Sequence, residues 1–174
     1  TVTLTGAVNS ESPTATATGT FADKNVGTGK TVTCASITLG SSWTTNYSLS
    51  ATSKTTTANI TAKPLTITAN AQTITYGSSI ATGTAQVTTS GLVSGDSLTA
   101  ITLTPSTSNA GSGTITPSAA TIKNSSSNTV TSNYSITYKT GTLTINKKNV
   151  TITAKNQTIT YGSSIATGTA QVTT

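Results

Sequence analysis

The stretch Gln72–Thr89 reads QTITYGSSIATGTAQVTT, and Gln157–Thr174 repeats the same eighteen residues 85 positions later. The match extends backwards, because LTITANA at Leu65–Ala71 aligns with VTITAKN at Val150–Asn156, so that 22 of 25 positions are identical. Alternation of apolar with hydroxyl side chains has a period of two and predicts β-strands that bury one face. Self-similarity at a fixed spacing predicts a tandem array, and since a partial copy cannot bury its own apolar face, we expect the chain to be a window on a longer array.

A weaker similarity at nearly the same spacing divides the chain into repeats. Asn46-Tyr47 and Asn133-Tyr134 each precede a predicted strand, 87 residues apart. We therefore predict a first repeat at residues 1–63, without its opening, a complete second repeat at 64–148, and the opening of a third at 149–174. Units of this length are too long for a solenoid coil and suit a small Ig-like β-sandwich. The junctions between them hold no Gly or Ser run, which predicts repeats joined stiffly, end to end, as a rod.

Period-two alternation continues through each repeat, and no segment shows helical periodicity. Turn-forming residues separate the alternating runs, among them Gly27–Gly29, Tyr76-Gly77 with its copy Tyr161-Gly162, and Ser94–Asp96. Since 33% of the residues are hydrophobic and seven are aromatic, we expect thin cores. The predicted fold class is all-β, as tandem small sandwiches.

The composition argues against an enzyme. The chain has no His, Met or Arg, and its only acids are Glu11, Asp23 and Asp96. General acid–base catalysis and metal coordination depend largely on His, Asp and Glu side chains. We expect no catalytic residue, no metal site and no cofactor. Asp96 is too isolated to hold calcium, which needs several oxygen ligands, and is predicted to cap a turn.

The charge and hydropathy patterns limit the classes of binding partner that we expect. Nine Lys give a net charge of +6, but they are scattered and no Arg accompanies them, so nucleic-acid binding is not expected. Lys on strand edges has a simpler role in preventing wrong strand pairing. No segment approaches the roughly 20 apolar residues of a membrane helix, so this segment is not expected to insert into a membrane. Cys34, the single cysteine, can form no intrachain disulfide.

One run combines an amine, an amide and a carboxylate. Asp23, Lys24, Asn25 and Lys30 carry the groups of a spontaneous Lys–Asn isopeptide crosslink, which forms when they are buried together with the acid protonated. The favoured interpretation is a polar turn in which Asp23 and Asn25 bond the local backbone. A loss of one ammonia from the intact mass would identify the crosslink.

The Asn-Tyr pairs and the Tyr-Gly pairs have a structural interpretation. At Asn46-Tyr47 and Asn133-Tyr134 we predict a corner in which Asn adopts a turn geometry and Tyr packs beneath it with its hydroxyl bonded to backbone. Tyr76-Gly77 and Tyr161-Gly162 are predicted to form matching turns in the duplicated block.

The first repeat resembles a YDG domain. The similarity lies in TVTLTG at Thr1–Gly6, FADKNVGTGKTVT at Phe21–Thr33, ITLG at Ile37–Gly40 and NYSL at Asn46–Leu49. The run Asp23–Lys30 is the most specific part.

The second repeat resembles an MBG domain of the YGX type. Its matching segments are LTITANAQTITYG at Leu65–Gly77, GLVSGDSL at Gly91–Leu98, NYSITY at Asn133–Tyr138 and GTLTI at Gly141–Ile145. Such domains occur in tandem in filamentous-haemagglutinin-like and other giant bacterial surface proteins. The resemblance therefore implies an extracellular location and a stalk, and it brings no catalytic residue with it.

Three functions remain open from the sequence. The leading hypothesis is a structural segment of a long surface protein, as an adhesin stalk or the body of an extracellular filament, whose partners are neighbouring repeats of the same chain. The second is a self-assembling fibre of identical chains that uses exposed strand edges. The third is a Thr-rich surface that binds carbohydrate or ice, since 47 of the residues are Thr and 24 are Ser.

Overall fold

The computed structural model describes residues 2–8 and 10–173, and within them the chain forms twelve β-strands, four single-turn 3-10 segments and no α-helix. The strands are β1 (Ala15–Phe21), β2 (Gly27–Leu39), β3 (Lys54–Ile60), β4 (Lys63–Ala69), β5 (Gln72–Thr75), β6 (Val87–Ser90), β7 (Ser97–Pro105), β8 (Gly111–Lys123), β9 (Tyr134–Lys139), β10 (Gly141–Asn146), β11 (Thr153–Ala154) and β12 (Val172–Thr173). The 3-10 segments are Ser41–Trp43, Thr84–Gln86, Thr131–Asn133 and Thr169–Gln171.

The strands form four sheets, with the orders β1-β2-β3, β5-β10-β8-β7, β6-β4-β9 and β11-β12. Strand β10 pairs antiparallel with β8 and parallel with β5. The prediction of an all-β, sandwich-like fold is confirmed. The boundaries of the three repeats stay a prediction.

The first of two compact units comprises Thr1–Thr66, Thr89–Ala100 and Ala120–Thr137. Its sheet β1-β2-β3 is thinly covered, because every residue of β3 except Ile60 is exposed and Ile37 is the buried residue of β2. The other buried hydrophobic side chains of this unit are Leu65, Ala120, Ile122, Val130 and Tyr134. This small core matches the low hydrophobic content of the sequence.

The second unit comprises Ile67–Thr88, Ile101–Ala119 and Tyr138–Thr174. Strand β10 buries its alternate residues Gly141, Leu143 and Ile145, as a period of two requires. A Cβ on Gly141 would lie 2.5 Å from the carbonyl oxygen of Ala69, so a side chain does not fit there. The core cluster consists of Ala69, Leu103, Ile115, Leu143 and Ile145, with Ile74, Ile80, Val87 and Ile101 packed against it.

Each of the two thirteen-residue strands contains a non-glycine residue with positive φ. These are Ser36 in β2, with φ 52°, and Ala119 in β8, with φ 50°. In β2 the ladder to β1 shifts there, since Thr16 pairs with Thr38 but Thr18 pairs with Ala35. The extra residue is a β-bulge, which bends the strand and strengthens its twist.

The duplicated block has the same local geometry in both copies. The Gln72 side chain accepts from the amide of Ala81 at 2.7 Å and donates to its carbonyl at 3.0 Å, and Gln157 makes the same two bonds to Ala166 at 2.7 and 2.9 Å. The following 3-10 segment recurs as well, at Thr84–Gln86 and Thr169–Gln171. Local sequence is therefore sufficient to set these turns.

Burial differs sharply between the two copies. Leu65 and Ile67 are 1% and 0% exposed, whereas their counterparts Val150 and Ile152 are 71% and 66% exposed. The local backbone is shared, so the difference comes from the strands that surround β4. The apolar face of the second copy, in the third repeat, is uncovered in the described part of the chain.

This difference allows two matched substitutions to test which copy of the block contributes to the free energy of unfolding. Ile67→Ala should lower the free energy of unfolding by about 2–5 kcal/mol, because it leaves a cavity in a packed core. Ile152→Ala should change it by less than about 0.5 kcal/mol, because the side chain is already solvated. Urea unfolding followed by far-UV circular dichroism measures both, and equal losses would contradict the assignment of the core.

Candidate functional site

Tyr134, the first residue of β9, connects a loop to the core of the first unit. Its ring is 7% exposed. Its hydroxyl accepts a hydrogen bond from the amide of Val93 at 3.0 Å and donates to Oδ2 of Asp96 at 2.6 Å. The amide of Asp96 also donates to the carbonyl of Val93 at 3.0 Å, which closes the turn. Burial raises the pKa of the Tyr134 phenol, and the bond to Asp96 adds to that effect.

Tyr47 makes the same pair of contacts in the first repeat. Its hydroxyl accepts from the amide of Val8 at 3.2 Å and donates a short hydrogen bond to the carboxylate of Glu11. The bond to Glu11 is the main reason why the pKa of Tyr47 is raised. The ring packs beside Trp43, with centroids 6.2 Å apart.

We call each of these tyrosines, with the amide that donates to it and the carboxylate that accepts from it, a tyrosine clamp. The two clamps share one sequence pattern. Gly6-x-Val8-x-x-Glu11-Ser12 aligns with Gly91-x-Val93-x-x-Asp96-Ser97 at a spacing of 85. The glycines both have positive φ, 92° and 112°, and so do Ser10 and Gly95, at 58° and 88°. The sequence predicted a turn at Asp96 but not the bond of its carboxylate to Tyr134, nor the matching bond of Glu11 to Tyr47, although extending the repeat alignment by these seven residues shows that the two acids are equivalent.

The Asp23–Lys30 run forms a compact polar turn. The Lys30 amine makes a short ion pair with the Asp23 carboxylate and donates to the backbone carbonyl of Asn25 at 2.7 Å. The amide of Asn25 donates to Oδ1 of Asp23 at 2.8 Å. The bond from Lys30, followed by that from the Asn25 amide, holds the pKa of Asp23 below its usual value. Asp23 is therefore an ionised, half-exposed anchor of the turn.

The isopeptide crosslink stays the less favoured alternative to a polar turn. Lys30 lies against Asp23 and against backbone carbonyls, while the Asn25 side-chain oxygen accepts a bond from Asn133. Lys24 is exposed.

Asn133 brings two of the predicted motifs together. Its side-chain oxygen accepts from the amide of Val26 at 2.9 Å, and its Nδ2 donates to Oδ1 of Asn25 at 3.0 Å. These contacts join residues 107 and 108 positions apart. Asn46, the equivalent residue of the first repeat, bonds through its backbone amide to the carbonyl of Trp43.

The two Tyr-Gly pairs form matching turns. Gly77 and Gly162 have φ 88° and 86°, and the following amides of Ser78 and Ser163 each close the turn onto the residue before the Tyr, at 2.9 and 3.0 Å. Tyr76 is 50% exposed and Tyr161 is fully exposed.

Potential metal-binding side chains are dispersed in the described part of the chain. Within them, no group of three or more His, Cys, Asp or Glu is placed to hold a metal ion. Cys34 is a half-buried free thiol. The polar side chains described above hold turns and loops in place.

Comparison with known families assigns both repeats. Residues 1–57 match the YDG domain, and residues 65–144 match the MBG domain of the YGX type. Neither the curated proteins nor the solved structures give a significant match to the chain. Across the described residues, no helix has the length and hydropathy needed to span a membrane.

The tyrosine clamp predicts a specific dependence of stability on pH. The folded state keeps Tyr134 neutral, so its contribution is fully present below the unfolded phenol pKa of about 10 and is lost as the pH rises from there through the folded pKa. Tyr134→Phe should cost about 1–3 kcal/mol at pH 7, because the Val93 amide and Asp96 lose their partner. The variant should also lose less stability above pH 10 than the parent.

Urea unfolding at pH 7 to 11 provides the measurement. Tyr161→Phe is the matched control, because its ring is fully exposed, and it should change stability by less than about 0.5 kcal/mol. If Tyr134→Phe lowers the free energy of unfolding no more than this control does, the hydrogen bonds of the Tyr134 clamp do not stabilise the fold.

Proposed function

We propose that this chain, in which a YDG domain is followed by an MBG domain of the YGX type, is a non-catalytic structural segment of a long extracellular bacterial surface protein. In this role the repeats are joined end to end as an adhesin stalk or as the body of an extracellular filament. Both domains are typical of surface-protein repeat modules. The neighbouring repeats of the same chain are then its main partners.

The observation that carries the proposal is the contact of Asn133 with the Asp23–Lys30 turn. A spacer must resist bending where one repeat follows another. Two hydrogen bonds, to the Val26 amide and the Asn25 side chain, connect a residue of the matched MBG segment to a turn of the matched YDG segment. The turn itself is held by the ion pair of Lys30 with Asp23. This gives a physical basis for a junction that is stiffer than its few connecting residues alone would provide.

The duplicated block supports the same role. A copy with 22 of 25 identical positions alters the length of an array and leaves the properties of each repeat unchanged. A spacer tolerates such a change, whereas a duplicated enzyme domain would need its catalytic set, for which this chain lacks His and paired acids.

One observation favours Thr-mediated surface binding as a second candidate. Thr20 pairs with Thr33, which pairs with Thr55, so three exposed threonines form one rung across the sheet β1-β2-β3. Thr31 and Thr57 form the neighbouring rung. The array ends after these two rungs, which is short for an ice or polysaccharide surface. Thermal hysteresis or glycan-array binding by the chain would promote this candidate above the structural one.

Asn133→Ala tests the junction contact. Removing the side chain leaves the Val26 amide without its acceptor, so exchange of that amide with solvent should accelerate, and the free energy of unfolding should fall by about 0.5–1.5 kcal/mol. Asn46→Ala is the matched control and should leave the Val26 amide unchanged. Hydrogen exchange followed by NMR reads this site directly. Equal exchange in the two variants would show that the contact does not form in solution.

Localisation tests the function itself. Antibodies raised against the chain should label thin threads on the surface of intact, unpermeabilised cells that produce the protein, as seen by immunoelectron microscopy. Labelling that requires permeabilisation would overturn the proposal. Ordered bundles of many chains would instead identify a multi-chain fibre.

A further inference from the structure

The hairpins that lead into the two long strands are equivalent. Residues 22–26 connect β1 to β2, and residues 106–110 connect β7 to β8, 84 positions later. Both β2 and β8 have 13 residues. We call residues 22–26 the first hairpin loop and residues 106–110 the second hairpin loop. The two loops thus have the same length and connect matching pairs of strands.

The two loops share their sequence and their local geometry. The chain reads NVGTG from Asn25 and NAGSG from Asn109. In the first loop, Oδ1 of Asp23 accepts a hydrogen bond from the amide of Asn25 at 2.8 Å. In the second loop, Oγ1 of Thr107 accepts one from the amide of Asn109 at 3.1 Å. In both loops a side chain two residues before the Asn therefore holds the Asn backbone in place.

The first hairpin loop binds a corner of the second repeat through two groups. The side-chain oxygen of Asn133 accepts from the amide of Val26 at 2.9 Å, and its Nδ2 donates to Oδ1 of Asn25 at 3.0 Å. The first partner is a backbone amide, which every residue except proline supplies. The second is a side-chain amide. These two bonds to the corner therefore require one particular side chain of the loop, the Asn itself.

The second hairpin loop offers the same two groups. Asn109 supplies the side-chain oxygen, and Ala110 supplies the amide at the position of Val26. Both residues are exposed. Val26 also lines a small cavity together with Val93 and Tyr134, so the shorter Ala110 makes a smaller apolar contact. The groups that form the two hydrogen bonds are present in both loops.

Each loop also lies beside the residues that lead into the next repeat. The first hairpin loop lines one cavity with Thr61 and Lys63. The second lines a surface depression with Lys147 and Lys148. Lys63 and Lys148 are equivalent at the repeat spacing of 85, and the segments that follow them are identical at 22 of 25 positions. The two loops therefore precede repeats of the same type.

We propose that the second hairpin loop is a docking site for the Asn-Tyr corner of another MBG repeat, the next one in the array. The Asn of that corner accepts from the amide of Ala110 and donates to Oδ1 of Asn109, as Asn133 does with the first hairpin loop. A side-chain amide suits this contact, because its oxygen accepts while its nitrogen donates. Since loop and corner are different surfaces of one repeat, the contact is heterologous and can recur along an array.

The docking site deepens the structural role that we propose for the chain and rests on that role for its purpose. The two ideas fail separately. Antibody labelling that requires permeabilisation would contradict the surface role and leave the contact intact. An Ala110 amide that gains no protection from the next repeat would contradict the contact and leave the surface role intact.

Exchange of the loops tests whether the second loop sequence binds a corner. In the full chain, residues 22–30 are given the sequence STSNAGSGT of residues 106–114. This takes six substitutions: Ala22→Ser, Asp23→Thr, Lys24→Ser, Val26→Ala, Thr28→Ser and Lys30→Thr. The amide at position 26 should exchange with solvent within about twofold of its original rate, because both groups that bind Asn133 are retained.

The control adds Asn133→Ala to the exchanged loop. This removes the acceptor, so exchange of the amide at position 26 should accelerate roughly three- to tenfold. Circular dichroism checks that both variants are folded. Exchange that is equally fast with and without Asn133 would show that the second loop sequence does not bind a corner, contrary to the proposal.

An extended chain tests the docking site in place. Residue 174 is followed by a second copy of Ser90–Lys148, which completes a further MBG repeat from the sequence of this chain. Hydrogen exchange followed by NMR should show the amide of Ala110 slowed roughly three- to tenfold relative to the original chain, because it gains an acceptor.

Two substitutions identify that acceptor. Asn133→Ala in the added copy should restore the original exchange rate of the Ala110 amide. The same substitution at the original Asn133 is the matched control and should leave the Ala110 amide slow. The proposal is overturned by an Ala110 amide that exchanges at one rate in the original and extended chains, or by one that stays slow without the added Asn.

Discussion

Burial of the alternate side chains of β4 is the constraint on which the second repeat depends. Leu65, Ile67 and Ala69 are among the few well-buried residues of a chain in which most side chains are small and hydroxylated. The same sequence, one residue different, stays solvated at Val150–Ala154. Thr-rich alternation therefore gives the chain its tendency to form strands. The free energy of folding comes instead from burying a central strand among its neighbours.

Each of the three acidic residues of this chain holds a loop in place through its carboxylate. Glu11 and Asp96 each receive the hydroxyl of a tyrosine, and Asp23 receives the amine of Lys30. All three acids of the sequence are thus structural anchors. A carboxylate makes a stronger hydrogen bond than a neutral oxygen, so a single acid per loop compensates for the shortage of apolar contacts nearby. This use of every acid agrees with the proposed structural role.

The all-β fold could be predicted from the sequence because its signals are local. Period-two alternation predicts strands, and glycines such as Gly77 predict turns that need positive φ. The clamps of Tyr47 and Tyr134 were predicted as corners bonded to backbone, but their acidic partners were not, since Glu11 and Asp96 lie 36 and 38 residues away. The contact of Asn133 with Asn25 spans 108 residues and leaves no periodic signature. The contact of Asn133 with Asn25 depends on how two loops meet in space, and neither the repeat nor the alternation in the sequence indicates it.

The near-identity of the duplicated strands has a consequence for folding kinetics. As the chain emerges, the segment at Val150–Ala154 competes with Leu65–Ala69 for the same neighbours, and 22 of 25 matching positions leave little energetic difference between the two pairings. Misassembly between similar adjacent domains is a characteristic failure of repeat proteins. The order of synthesis resolves the competition, because the earlier strand meets its partners before the later copy exists. Such an array is therefore better suited to folding progressively from one end than to refolding all at once after denaturation.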